Sequence, residues 1–223
     1  MAILIQSQIS PSVLSADFSQ LGDQIGSIDN AGGEVLHLDI MDGHFVPNLT
    51  FGPMVVKAIR KMTSMHLEAH LMISDPDKYI EGYIQAGADC VLVHPSTCSS
   101  VSDTLNRIHD LGAKAGLVVN PDEKLSSVSP FIHQMDQLLI MSVYPGFGGQ
   151  SFIPEVLDSL PKILSQLEEA QVLIEIDGGI NLQTIQTLRS AGIDRYVAGS
   201  AVFNNQGTPK QNYLNLLRQI IKD

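Results

Sequence analysis

A chain of 223 residues is close to the size of one complete eight-fold α/β barrel, and it can bury most of the surface its unfolded form exposes without disulfides. Its formal net charge of −11 speaks against nucleic acid or an anionic membrane as a general partner, because both demand clustered Lys and Arg. Two cysteines, Cys90 and Cys98, argue against a disulfide framework or a cysteine-only zinc site and fit a reducing, cytoplasmic setting.

The chain opens on Ala2-Ile3-Leu4-Ile5, too short an apolar run for a secretory signal and without its basic flank. No later stretch approaches the roughly 18 consecutive apolar residues of a membrane span. A first strand is expected over 8–14, followed by Phe18, Leu21, Ile25 and Ile28 at helical spacing and a Gly32-Gly33 stop. Strands over 35–40 and 65–71 come next, and Gln85-Ala86-Gly87-Ala88 leads into a fourth over 90–94. Asp110-Leu111-Gly112-Ala113 precedes a fifth strand over 114–119, and a sixth is expected over 137–143. Leu157, Leu160, Ile163, Leu164 and Leu167 then share a helical face before a seventh strand over 172–177. Ser190-Ala191-Gly192-Ile193 introduces the eighth, over 195–199, and a last helix over about 208–221 carries Tyr213, Leu214, Leu217 and Ile220.

A helix is thus expected after every strand, and the strands read as near-continuous apolar runs, the signature of parallel strands covered on both sides. Right-handed crossovers between eight evenly spaced units favour closure into a single (β/α)8 TIM barrel over an open doubly wound sheet. In such a barrel the chemistry sits at the C-terminal ends of the strands. Those ends carry Ser12, His37 with Asp39, His70, His94, Asn120, Met141, Asp177 and Ser200.

Each of these has a bland explanation alone. Ser12 can bond a nearby turn, His37 or His70 can be a hydrogen-bonded core histidine, and Asp177 can simply begin the Asp177-Gly178-Gly179 turn. Together, two His and two Asp from the second, third and seventh strands would face one mouth as an N2O2 set for a divalent metal. Asp42 and His44 lie past the second strand and read as loop-ordering residues. His66 falls towards the other end of the barrel, and His109 and His133 fall on expected helices as solvated or structural groups.

Glycine-rich turns follow three adjacent strands: Gly146-Phe147-Gly148-Gly149, Gly178-Gly179 and Gly199-Ser200. Phosphate in barrels commonly sits at the loops after strands seven and eight. With no Lys or Arg in these turns, backbone N–H groups would have to supply most of the binding.

Several segments carry a more specific signal. They are Pro11-Ser12-Val13-Leu14-Ser15-Ala16-Asp17, the block from His37 to Asn48, His70-Leu71-Met72, Pro145-Gly146-Phe147-Gly148-Gly149-Gln150, Glu175-Ile176-Asp177-Gly178-Gly179 and Gly199-Ser200-Ala201-Val202-Phe203. In that order and over nearly the whole chain, they resemble the ribulose-phosphate 3-epimerase family.

The resemblance implies one catalytic barrel over 1–223, interconverting D-ribulose 5-phosphate and D-xylulose 5-phosphate in pentose phosphate metabolism. It implies one divalent ion (Zn, Fe, Mn or Co) on His37, Asp39, His70 and Asp177, with Asp39 and Asp177 also transferring protons. Ser12, His70, Gly146, Phe147, Gly148, Gly149, Gly178, Gly179, Gly199 and Ser200 carry over as substrate contacts. Met41, Met72 and Met141 match methionines that line the site, although spacing alone would place them in the core.

One departure stands out: family members often carry Glu two residues after the histidine ending strand four, where this chain has Ser96. Tyr144 is a second variable point. Related enzymes are often homo-oligomers, which is the expectation here by analogy. The same ligands would serve a six-carbon ketose phosphate such as D-allulose 6-phosphate, and a phosphosugar-binding barrel without catalysis is the non-enzymatic alternative. A related decarboxylase or aldol-type synthase would need an Asp-x-Lys-x-x-Asp array, and Asp39-Ile40-Met41-Asp42 has no lysine.

Overall fold

A computed structural model describes residues 7–167 and 170–220. The apolar start at 2–5 and the expected end of the last helix at Ile221 lie outside the described residues.

Among the described residues, eight parallel strands form the sheet: β1 (Gln8–Pro11), β2 (Val35–Met41), β3 (His66–Met72), β4 (Cys90–Val93), β5 (Lys114–Val119), β6 (Gln137–Met141), β7 (Leu173–Asp177) and β8 (Arg195–Ala198). Each strand pairs with the next in parallel from β2 to β8, and β8 returns to β1. β1 and β2 meet through one bridge between Ser12 and His37, which brings the circle to near closure. The fold is the expected (β/α)8 barrel.

The helices around it are α1 (Leu21–Asp29), α2 (Pro53–Arg60), α3 (Ile80–Ala86), α4 (Val101–Asp110), α5 (Leu160–Leu167), α6 (Thr184–Leu188) and α7 (Pro209–Ile220). One face of each described helix packs on the outward side of the strands. Ile25 and Ile28 of α1, Val56 and Ile59 of α2, and Leu105 and Ile108 of α4 are fully buried there, with Leu36, Leu38, Leu67 and Ala69 from the strands. At about 25 cal/mol per Å2 of apolar surface, this layer is the main favourable term of folding.

Three expectations need correcting. No α-helix separates β5 from β6: two 3-10 segments, Leu125–Ser127 and Ser129–Gln134, fill that connection, and His133 lies on the second. Pro121 and Pro130 deny the connection the uninterrupted backbone N–H groups a helix needs. The first strand stops at Pro11 rather than 14, because Val13–Ser15 turn into a 3-10 segment. The sixth stops at Met141 rather than 143, with Ser142 N–H making the last ladder bond, to the Asp177 carbonyl at 2.7 Å.

Strand alternation sends every second residue into the barrel. The interior is divided: Cys90, Leu92, Val118, Leu139, Met141 and Val197 form an apolar half. Ser10, His37, Glu68, Gln137, Glu175 and Arg195 form a polar half, all buried.

Candidate active site

Parallel register sets the site. β2 and β3 pair His37 with Glu68, Asp39 with His70 and Met41 with Met72, so like-facing residues stack in rungs up the barrel. Across the mouth, β7 brings Asp177 level with Met141 of β6 and Val197 of β8.

His37 Nε2 lies 3.3 Å from His70 Nδ1, 3.5 Å from Asp39 Oδ1 and 3.9 Å from Asp177 Oδ2, and His70 Nδ1 lies 3.4 Å from Asp39 Oδ1. One ligand atom from each of these four residues falls within 4.8 Å of the others. Two imidazole nitrogens and two carboxylate oxygens converging from three strands fit a divalent Zn, Fe, Mn or Co ion. The wrong alternative is a second triad, His37, Glu68 and Glu175, which is just as tight. There Arg195 Nη1 is already ion-paired to Glu68 Oε1 and fills the role of the cation.

The charges in the site are unequal. Burial works to raise Asp39, but His37 and His70 beside it outweigh burial and hold its carboxyl well below the usual range. Ser12 Oγ also donates to Asp39 Oδ2 at 2.5 Å. At Asp177 the balance tips the other way: burial, then the charge of Asp39, outweigh the opposing His37 and push it from 3.8 to about 7. Burial opposes the His37 imidazolium, yet Asp39 and Glu68 raise its pKa well above the ordinary value. Burial lowers His70, and it lowers His94 much further. A cation would displace the His37 proton and favour both carboxylates in their ionised form.

Above these groups opens a cavity of about 460 Å3, lined by Ser12, Asp39, Asp177, the three methionines Met41, Met72 and Met141, and the glycine turns. Gly146, Phe147, Gly148, Gly149, Gly178, Gly179, Gly199 and Ser200 all reach it. No Lys or Arg lines it among the described residues. At Gly178, with φ +123°, a Cβ would sit 2.6–2.8 Å from Val143, its backbone N included. At Gly179, with φ +64°, it would meet the Phe152 backbone at 2.5 Å. Only glycine lets this turn pass so close beneath the cavity floor.

The loop over the cavity is tied down at two points. Asn48 Nδ2 donates to the Gly146 carbonyl at 2.7 Å, and Gln150 Nε2 donates to the carbonyls of Tyr144 and Phe147.

His37 and His70 are fully buried behind the two carboxylates and do not line the cavity. Asp42 orders its loop, as expected: its carboxylate accepts from the N–H of His44 and Phe45 and from Ser74 N–H and Oγ. His66 is half-buried at the opposite end of β3, and His109 pairs with Asp136 at 2.8 Å on the surface.

Residue reading alone missed the buried support. His94 Nε2 stands 3.0 Å from His70 Nε2, and its ring lies against Phe45 with centroids 4.7 Å apart. Glu68 and Glu175 share Gln137 Nε2, at 2.9 and 2.7 Å, beneath His37. The available signal was a charged residue at an inward-facing position of an otherwise apolar strand.

The model of the "Ribulose-phosphate 3 epimerase family" matches residues 8–203. A curated protein of Bacillus subtilis named ribulose-phosphate 3-epimerase is 41% identical over 206 residues, covering 91% of this chain and 95% of its own length. One of the same name from Synechocystis sp. is 47% identical over 200 residues, covering 88% and 87%. Among solved structures, 3-keto-L-gulonate-6-phosphate decarboxylase from Vibrio cholerae superposes with a TM-score of 0.72 at 14% identity, over 96% of this chain and 97% of that one. At that identity the likeness is one of fold alone.

Proposed function

The chain belongs to the ribulose-phosphate 3-epimerase family, a family of isomerases, and from that premise we propose that it interconverts D-ribulose 5-phosphate and D-xylulose 5-phosphate by two-base proton transfer at C3. The observation that carries this reading is the pair of carboxylates. Asp39 and Asp177 reach one cavity from β2 and β7, with Oδ atoms 3.5 and 3.9 Å from the same His37 nitrogen.

Epimerisation beside a ketone removes a proton from one face of C3 and returns one to the other, so one acid–base group is needed on each face. Asp39, held ionised, is suited to take the proton from ribulose 5-phosphate, and Asp177, the better proton holder, is suited to deliver one. The roles reverse for xylulose 5-phosphate. Ser12 keeps Asp39 oriented through its hydroxyl. Met41, Met72 and Met141 wall the cavity with soft apolar surface, keeping bulk water away from the reacting carbon without adding a competing acid.

His37, Asp39, His70 and Asp177 would hold one Zn, Fe, Mn or Co ion. Such an ion supplies Lewis-acid stabilisation of the negative charge that develops on the substrate oxygens when the C3 proton leaves. The phosphate belongs at the Gly178-Gly179 and Gly199-Ser200 turns, with Gly146–Gly149 closing from above on backbone N–H groups. Residues 1–223 serve as one catalytic domain. Free thiols at Cys90 and Cys98 favour the cytoplasm, and among the described residues no helix is long and apolar enough to cross a membrane. We expect a homo-oligomer.

Asp39→Asn and Asp177→Asn should each cut turnover at least about 100-fold in both directions while the fold persists. Near-normal activity in either variant contradicts the two-base scheme.

A further inference from the structure

We propose that Glu68 is a positioning residue for the metal-binding set: it accepts a hydrogen bond from His37 Nδ1–H and so keeps the Nε2 lone pair of His37 aimed at the ion. This rests on the metal reading above and deepens it. A neutral imidazole that binds a cation through one nitrogen must carry its proton on the other, and whatever faces that second nitrogen decides which tautomer is present.

His37 divides its two nitrogens cleanly. Nε2 faces Asp39, His70 and Asp177. Nδ1 turns down into the barrel, buried and with no closed hydrogen bond, towards Glu68 Oε2 at 3.5 Å and Glu175 Oε2 at 3.9 Å. A shift of about half an ångström closes the Glu68 contact to hydrogen-bond length.

Glu68 is the better placed of the two, and it is held from behind. Its Oε1 accepts from Arg195 Nη1 and from Gln137 Nε2, and its Oε2 accepts from Ser10 Oγ at 3.1 Å. Arg195 is itself clasped by Gln8 Oε1, which accepts from Nε and Nη2 at 3.1 and 2.9 Å. Register seats Glu68 directly opposite His37 on the neighbouring strand, and these bonds hold its carboxylate beside the ring. Glu175 Oε2 is already engaged by Gln137 at 2.7 Å.

The surroundings make Glu68→Gln an unusually sharp probe. If the amide oxygen stays where Arg195 and Gln137 donate, the NH2 takes the Oε2 position, with Ser10 Oγ free to accept one N–H and His37 Nδ1 facing the other. A donor there demands the lone pair on Nδ1, which moves the proton to Nε2, where the ion must bind. If the amide turns over, its NH2 opposes two buried donors. Both orientations cost metal affinity, although the change is nearly isosteric.

The test is zinc affinity, measured by competition with a chromophoric chelator for the wild type, Glu68→Gln and Glu68→Asp. Glu68→Gln should bind zinc about 10–100-fold more weakly. Glu68→Asp keeps a carboxylate and should recover part of that loss. In the zinc-loaded wild type, 15N NMR should find a proton on His37 Nδ1. A folded Glu68→Gln protein with wild-type zinc affinity, or a bare Nδ1 in the loaded wild type, overturns the proposal. If Glu68→Gln does not fold, the NMR result decides alone. A wild type that binds no zinc takes away the metal reading and this proposal with it, whereas normal wild-type binding beside an unaffected Glu68→Gln removes only the role of Glu68.

Discussion

Replacing Asp177 with Asn should stabilise the metal-free protein while destroying its activity, and the size of the gain follows from the site. Asp177 is held from 3.8 to about 7 by burial and by the charge of Asp39. A raised carboxyl is favoured when protonated, so its contribution to stability is fully present below the unfolded pKa and is lost as pH climbs through about 7. Roughly three pKa units at 1.36 kcal/mol each set a ceiling of about 4 kcal/mol on that loss. The side chain is 16% exposed to the cavity, which brings the expected figure down to about 2–4 kcal/mol. Asn has no proton to lose. Urea unfolding of chelator-stripped wild type and Asp177→Asn between pH 3.5 and 8.5 should therefore show curves that meet at the acid end, separate steadily from about pH 4 to about pH 7 and run parallel above it, the variant being the more stable. Other titrating groups are common to both proteins and cancel to first order in the difference. Parallel curves across this range would refute the claim that the site strains against the Asp177 charge. Adding zinc should reverse the order, because binding to the native state stabilises the wild type by mass action and the variant has lost a ligand.

Three further outcomes follow from the same structure. Asn48→Ala removes the donor to the Gly146 carbonyl, a bond of 2.7 Å worth about 1 kcal/mol, and should raise KM for the phosphosugar several-fold with little change in kcat in steady-state assays. Gly178→Ala forces a Cβ to within 2.6–2.8 Å of Val143 at φ +123°, so thermal melts should show a loss of about 2 kcal/mol or more, together with weaker substrate binding. Exhaustive chelation should abolish turnover, and Zn, Fe, Mn or Co should restore it to differing extents; full activity after verified metal removal would take the ion out of the mechanism.

The barrel and the convergence of His37, Asp39, His70 and Asp177 were legible in the sequence because both rest on local patterns. Gly stops after helices and apolar strand runs repeat along the chain, and strand-end position alone puts Asp39 and Asp177 at the mouth. The support beneath them was not legible. Glu68, between Leu67 and Ala69, reads in isolation as a polar residue of unknown facing; only the pairing of His37 with Glu68, and of Glu175 with Arg195, shows that these charges meet inside the barrel. His94 lay on the strand-end set, but its contact with His70 depends on how two rings stack, with centroids 5.2 Å apart. The missing helix between β5 and β6 reflects the opposite failure, in which fold regularity suggested a helix that Pro121 and Pro130 disfavour.

Proton transfer at C3 by two carboxylates serving opposite faces leaves an isotopic record when the reaction runs in D2O. Metal-loaded enzyme should convert ribulose 5-phosphate to xylulose 5-phosphate that carries deuterium at C3 from the first turnovers, while the remaining substrate keeps its C3 hydrogen. The proton taken by one Asp is then not the one the other delivers. Early product that retains the substrate hydrogen at C3 would point to a single base returning its own proton and would contradict the account.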